Sequence, residues 1–219
     1  RHNFRHDKTV HIPRVYDKLC TDKIIVVERI KGIKLSDIQK LKDSGLDLQK
    51  IAHTVMGSLL KQIFVDGLFH GDPHPGNIFI LPDGRVSFVD FGVVGRIDDE
   101  AKFAFAHMLI AAVEKDADEM LKVMRESMGM NYAHELKLKL SLQQLLDKYY
   151  EITLAEFNMN SFLKDLTRLL YENRVHISPD HFLLIKSLGM MESEAKMLDS
   201  AMDVGREIKR TAERVIKDE

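Results

Sequence analysis

The chain has 219 residues, a net charge of −2, 45% hydrophobic residues and 30% charged residues. This fits one large globular domain, or a lobe with a helical extension, and the near-neutral charge offers no basis for a nucleic-acid partner. Cys20 is the single cysteine, which excludes an intrachain disulfide and points to a reducing, intracellular setting. No apolar run approaches the roughly 18–20 residues of a membrane span. No apolar stretch of the signal-peptide kind follows the polar residues 1–8, and the missing initiating Met is expected of a fragment or a processed chain.

Taken in order, residues 9–16 and 23–28 are rich in β-branched side chains and predict two short strands. The second, Lys23-Ile24-Ile25-Val26-Val27-Glu28, is too apolar to alternate and is expected to be buried on both faces. Gly32 breaks the chain, Ser36 is placed to cap a short helix through about Leu41, and Ser44-Gly45 ends it. Asp47 caps the next helix. Ile51, Val55, Leu59 and Ile63, flanked by Ala52, Met56, Leu60 and Phe64, make a wide apolar stripe that ends near Gly67.

Residues 78–80 and 85–89 flank Pro82-Asp83-Gly84 and predict a hairpin. From Asp98 onward the pattern is helical, over 99–115, 116–128, 132–157 and 161–173. A last long helix starts at Ser178-Pro179-Asp180 and ends in a charged, solvated stretch, 206–219. The methionines at 120, 124, 128, 130, 190, 191, 197 and 202 fall on these helices as gap-filling core. The fold class is α+β, mostly α.

The chemistry concentrates in His70-Gly71-Asp72-Pro73-His74-Pro75-Gly76-Asn77, followed thirteen residues after Asn77 by Asp90-Phe91-Gly92. An acid, an amide five residues on and a second acid opening a D-F-G triplet make up the metal-and-phosphate apparatus of kinase-like phosphoryl transfer. Asp72 is placed to face the attacking hydroxyl or water. Asn77 and Asp90, at the two outer ends of the hairpin, are the hard oxygen donors that Mg²⁺ prefers on a nucleotide's phosphates. Asp90 stands alone in the apolar run Phe88-Val89-Asp90-Phe91-Gly92, where burial without a cation would be costly.

His74 lies two residues after Asp72, where protein kinases usually carry a lysine that touches the transferred phosphate. It either takes that catalytic role or is a hydrogen-bonded structural residue. His70 is expected to support the loop. The i, i+4 spacing of these histidines aligns side chains only on a helix, which Pro73 and Pro75 disfavour, so zinc is a weak reading. Glu28, Arg29 and Ile30 leave the second strand towards Gly32, where a hinge would present backbone groups to adenine.

The motifs HGDPHPGNIFI (70–80) and VDFGVVGRI (89–97), with the extension Gly92-Val93-Val94-Gly95-Arg96, resemble the UbiB family, also called the aarF-domain-containing kinase-like proteins. VVERIKGIKLSD (26–37), the segment from Asn3 to Val15 and the helices to about Asp199 are similar to its hinge, N-lobe end and C-lobe. The resemblance implies an atypical protein-kinase-like fold, with 1–32 as N-lobe remnant and hinge. It implies 33–219 as a helical C-lobe with catalytic loop 70–77 and D-F-G at 90–92. It further implies Mg²⁺-dependent ATP binding, ATPase or small-molecule kinase activity, and a link to ubiquinone or isoprenoid-lipid metabolism with peripheral membrane contact. On this resemblance Asp72 is the catalytic-loop acid, and Asn77 and Asp90 are the metal ligands.

Departures narrow the reading. Gly71 stands where many regulated protein kinases carry arginine, and no A-P-E segment follows Gly92. The KxGQ segment, the alanine-rich nucleotide loop, the strand lysine and its glutamate partner are all missing. The competing readings are a pseudokinase-type module that binds nucleotide, lipids or partner proteins, with the apolar helices between 103 and 197 as a groove, and an aminoglycoside- or choline-type phosphotransferase.

Overall fold

The computed structural model describes residues 1–126, 135–149, 158–175 and 178–217. Among the described residues, β-structure is confined to the first hundred and the remainder is helical. Strands β1 (Val10–His11), β2 (Ile33–Lys34), β4 (Ile78–Ile80) and β5 (Val86–Phe88) form one sheet in the order β1-β5-β4-β2, with β1 parallel to β5 and the other pairs antiparallel. Strands β3 (Leu68–His70) and β6 (Val94–Arg96) form a separate antiparallel ladder.

The hairpin turns where expected. Gly84 adopts φ +82°, its N–H donates to the Leu81 carbonyl at 2.9 Å, and Asp83 Oδ1 accepts from the Arg85 N–H at 3.1 Å. Among the described residues the β3–β6 ladder has no counterpart in the predicted elements. Both strands are three residues long, and a run that short carries no readable period.

Eight helices follow one another among the described residues: α1 (Ile38–Asp43), α2 (Leu48–Phe64), α3 (Asp99–Glu114), α4 (Ala117–Glu126), α5 (Glu135–Lys148), α6 (Met159–Glu172), α7 (Pro179–Leu198) and α8 (Val204–Lys217). Asp47, Asp98, Asn158 and Ser178 each accept a first-turn N–H as side-chain caps. The first short helix starts one residue later than expected, at Ile38 with Asp37 rather than Ser36 in the cap position. It is closed by Ser44 Oγ, which donates to the Leu41 carbonyl at 2.6 Å. The predicted stripe of α2 is buried throughout and packs on α7 and β3. Met120, Met124, Met191 and Met202 fill the core as expected, whereas Met197 is exposed; Met128 and Met130 lie outside the described residues, as do 127–134 and 150–157 of the predicted helices.

Two expectations are corrected. The predicted final helix is two. Asp199 turns extended, its Oδ1 accepts the Ala201 N–H at 3.0 Å, and Asp203 Oδ1 caps a new start through the Arg206 N–H at 2.9 Å. The break lets α8 lie across α3, so one face of the charged tail is buried through Val204, Ile208, Ala212 and Val215.

Residues 23–28 form no strand and are not buried on both faces. Their pairing is one bridge, Val15 to Val27, flanked by hydrogen bonds from the Tyr16 N–H to the Val26 carbonyl and from the Glu28 N–H to the Arg14 carbonyl. Ile25 is 77% exposed. The segment pairs along residues 14–16 without joining the sheet, and Ile24 and Val27 are exposed along with Ile25.

Candidate functional site

The signature loop leaves β3 and is clamped from four directions. The ladder continues past β3, because the Gly71 N–H donates to the Val93 carbonyl at 2.9 Å. A Cβ on Gly71 would sit 2.8 Å from Val93 Cγ1. The loop is closely apposed to the segment after D-F-G, so any side chain at position 71 would have to displace Val93.

His70 is buried, at 1% exposure, and acts as the internal brace. Its Nδ1 accepts the Asp72 N–H at 3.2 Å and its Nε2 lies 3.0 Å from the Val89 carbonyl. One neutral tautomer, with hydrogen on Nε2, satisfies both. The His70 N–H donates to Gln62 Oε1 at 3.0 Å and its carbonyl accepts from Ser187 Oγ at 3.0 Å, tying the loop to α2 and α7. The Phe91 ring lies 5.2 Å from the imidazole. The supporting role expected of His70 is the one the structure shows.

Asp72 is half-exposed, and its Oδ1 lies 2.8 Å from Lys186 Nζ on α7. The hydrogen bond from Lys186 holds the Asp72 carboxyl below the ordinary aspartate range, with partial burial acting the other way. His74 is exposed. Its Nδ1 accepts the Gly76 N–H at 3.1 Å as the cap of a 3₁₀ turn, Pro75–Asn77. Asn77 donates Nδ2–H to the Asp72 carbonyl at 3.4 Å, which leaves Oδ1 as its available ligand atom.

The Asn77 carbonyl accepts the Val89 N–H at 2.9 Å, so the backbones at Asn77 and Val89 are paired and Asp90 follows immediately. Asp90 adopts φ 57°, its Oδ1 accepts the Gly92 N–H at 3.3 Å, and it is exposed. The expectation that it is buried within its apolar run is corrected: the buried strand ends at Phe88, and Asp90, in the left-handed region, and Phe91 are exposed. The structure thus gathers Asp72, His74, Asn77 and Asp90 on one loop and hairpin.

The hinge candidates lie at the approach to that unit. The Glu28 side chain is committed locally, with Oε1 3.0 Å from His11 Nε2 and Oε2 accepting the Arg14 N–H at 3.0 Å. Those contacts, the Arg14 N–H foremost, lower its carboxyl from the ordinary glutamate range. The backbone N–H and C=O groups of Arg29 and Ile30 have no hydrogen-bond partner among the described residues. Beyond them the Leu35 N–H reaches the Ile78 carbonyl at 2.8 Å and the Ser36 N–H the Pro75 carbonyl at 3.2 Å, which docks the hinge exit on the loop.

Sequence reasoning missed the contribution of α7. Lys186 and Ser187 interrupt the apolar run Leu184-Ile185-Lys186-Ser187-Leu188, and both touch the loop. Polar residues inside a core helix were the available signal. Further along α7, Glu194 is buried with neither carboxyl oxygen hydrogen-bonded. Burial, reinforced by the charge of Asp72, pushes its carboxyl up to about 9.

A loop acid, an amide at a hairpin mouth and a second acid at its exit, set against a helical body, define a kinase-like fold. The ABC1 atypical kinase-like domain matches residues 1–124 and the UbiB helical domain matches residues 142–203. The chain belongs to the ABC1 atypical kinase-like family.

It is 35% identical over 187 residues to the chloroplastic protein ACTIVITY OF BC1 COMPLEX KINASE 1 of Arabidopsis thaliana, covering 85% of this chain and 27% of that one. It is 34% identical over 187 residues to the protein in the hydrogenase 1 5′ region of Clostridium pasteurianum, covering 84% of this chain and 35% of that one. The chain therefore spans about a third or less of these relatives' length. Rv3197 of Mycobacterium tuberculosis, solved with erythromycin, shares the fold at a TM-score of 0.53 and 21% identity, over 98% of this chain and 54% of that one.

Proposed function

We propose that this chain is the phosphate-handling lobe of an ATP-dependent enzyme that hydrolyses ATP or transfers its γ-phosphoryl group to a small molecule. The observation that carries the proposal is the common mounting of Asp72, Asn77 and Asp90 on one braced loop and hairpin. The Asp72 carboxylate takes the proton of the attacking water or alcohol as that oxygen bonds to the γ-phosphorus. The bond from phosphorus to the β–γ bridging oxygen breaks, and its electron pair leaves with ADP.

Asn77 Oδ1 and the Asp90 carboxylate are oxygen donors of the kind Mg²⁺ takes, and would hold it. Bound there, the ion would neutralise charge on the phosphates. The unpaired backbone groups of Arg29 and Ile30, next to Glu28, are proposed to receive adenine, and His74 is proposed to donate Nε2–H to the transferred phosphate. The kinase designation of the Arabidopsis relative supports phosphoryl transfer, and membership of the family sets aside the aminoglycoside- or choline-type alternative.

An isoprenoid lipid or quinone precursor, reached at a membrane surface, is proposed as the acceptor class or effector. No helix among the described residues is long and apolar enough to cross a membrane. Within the helices between 103 and 197, Phe105, Met120, Leu142 and Leu188 are core, so lipid contact there would involve exposed residues such as Leu136, Leu140 and Phe182. The test is phosphate release from ATP by the chain, by Asp72→Asn and by Asp90→Asn. Loss of turnover in Asp72→Asn with nucleotide binding retained is expected; turnover unchanged in both variants would overturn the proposal.

A further inference from the structure

We propose that Lys186, projecting from α7, is the cation of this phosphate site and does the work that kinases assign to a lysine of the catalytic loop. The inference rests on the phosphoryl-transfer reading above and adds a residue to it. The loop itself, residues 70–77, carries no lysine or arginine. His70 Nδ1 accepts the Asp72 N–H and His74 Nδ1 accepts the Gly76 N–H, so each ring already spends that nitrogen on a hydrogen bond within the loop. The remaining titratable neighbour of Asp72, Glu194, is buried and unpartnered.

Lys186 Nζ lies 2.8 Å from Asp72 Oδ1, and 114 residues separate the two in sequence. Its side chain is 43% exposed, and its other two N–H donors have no partner among the described residues. An ammonium so placed keeps Asp72 ionised and ready to accept a proton. It also presents donors to a phosphoryl group that arrives beside that carboxylate.

The neighbouring Ser187 Oγ holds the His70 carbonyl, so α7 positions the brace and the cation together. His74 keeps the distinct part proposed above, donation from Nε2–H. Division of labour between a loop histidine and a helix-borne cation follows from the loop sequence, where Pro73 and Pro75 enclose a histidine whose Nδ1 is used as a cap.

The experiment is calorimetric titration of the chain with MgATP and with MgADP, for the unmodified sequence, Lys186→Met and Lys186→Arg. Lys186→Met is expected to weaken MgATP about tenfold more than MgADP, the size of one charge-assisted hydrogen bond. Lys186→Arg is expected to restore most of that loss. Equal weakening of both nucleotides, or none, in a chain that binds MgATP overturns the role of Lys186 and leaves the phosphoryl-transfer reading standing. Failure of the unmodified chain to bind MgATP overturns that reading and this assignment with it.

A nucleotide-free readout is the ¹³C titration of the Asp72 carboxyl, which is expected to move up in Lys186→Met and stay low in Lys186→Arg. An Asp72 titration unmoved by Lys186→Met means that the ion pair does not form in solution, and overturns the proposal independently of any ligand.

Discussion

Glu194→Gln isolates the one buried carboxyl that has no hydrogen-bond partner among the described residues. In the folded chain burial raises Glu194 from 4.5 to about 9. A carboxyl raised on folding keeps its proton in the native state over a pH range where the unfolded chain has lost it. The folded state then binds more protons, and stability falls as pH rises from 4.5 towards 9. Each pH unit inside that window is worth about 1.4 kcal/mol, so the three units from pH 5 to pH 8 amount to something on the order of 4 kcal/mol.

Against a typical total of about 5–15 kcal/mol this is a large fraction. Glutamine matches the neutral acid in shape and stays neutral throughout. The variant should therefore equal the unmodified chain near pH 5 and exceed it by about 4 kcal/mol at pH 8. The assay is urea denaturation of both proteins at pH 5, 6.5 and 8. His181, lowered chiefly by burial, works in the opposite direction around its ordinary value of 6.5, and subtracting the two proteins cancels it. A stability difference that does not change with pH would refute the reasoning.

Two glycines should respond with opposite signs. A Cβ on Gly32 would meet the Ile80 carbonyl oxygen at 2.6 Å, so Gly32→Ala should cost about 1–3 kcal/mol and disturb the hinge. Gly57, inside α2 with nothing within 4 Å of a Cβ, should gain about 0.5–1 kcal/mol as Ala; urea midpoints check both. Ser187→Ala deprives the His70 carbonyl of its buried donor, and should cost about 1–3 kcal/mol in the same assay.

The sequence made the candidate site legible because it is local. Asp72 to Asn77 is one loop, and Asp90 is carried to its mouth by a hairpin whose Pro82-Asp83-Gly84 turn is strongly coded. The stripe of α2 was equally plain, since Ile51, Val55, Leu59 and Ile63 repeat on one face. What escaped reading depends on partners distant in sequence or on single backbone dihedrals. Lys186 reaches Asp72 across 114 residues.

The exposure of Ile24 and Ile25 depends on which layers surround them, and composition says nothing of that. Asp90 looked buried because its neighbours are apolar, whereas it sits in the left-handed region just past the buried strand and is exposed. The break after Leu198 turns on two aspartates, Asp199 and Asp203, whose side chains compete for backbone N–H groups in a stretch with otherwise helical periodicity.

The central claim, that this lobe holds a magnesium nucleotide through Asn77 and Asp90, is tested most directly by the thermal midpoint of the chain with and without MgATP, alongside Asp90→Asn. Ligand at about a hundred times its dissociation constant should add roughly 2.7 kcal/mol. A Mg²⁺-dependent rise that Asp90→Asn abolishes is the predicted result. An equal midpoint with and without MgATP in the unmodified chain, or a rise that survives Asp90→Asn undiminished, would contradict the account.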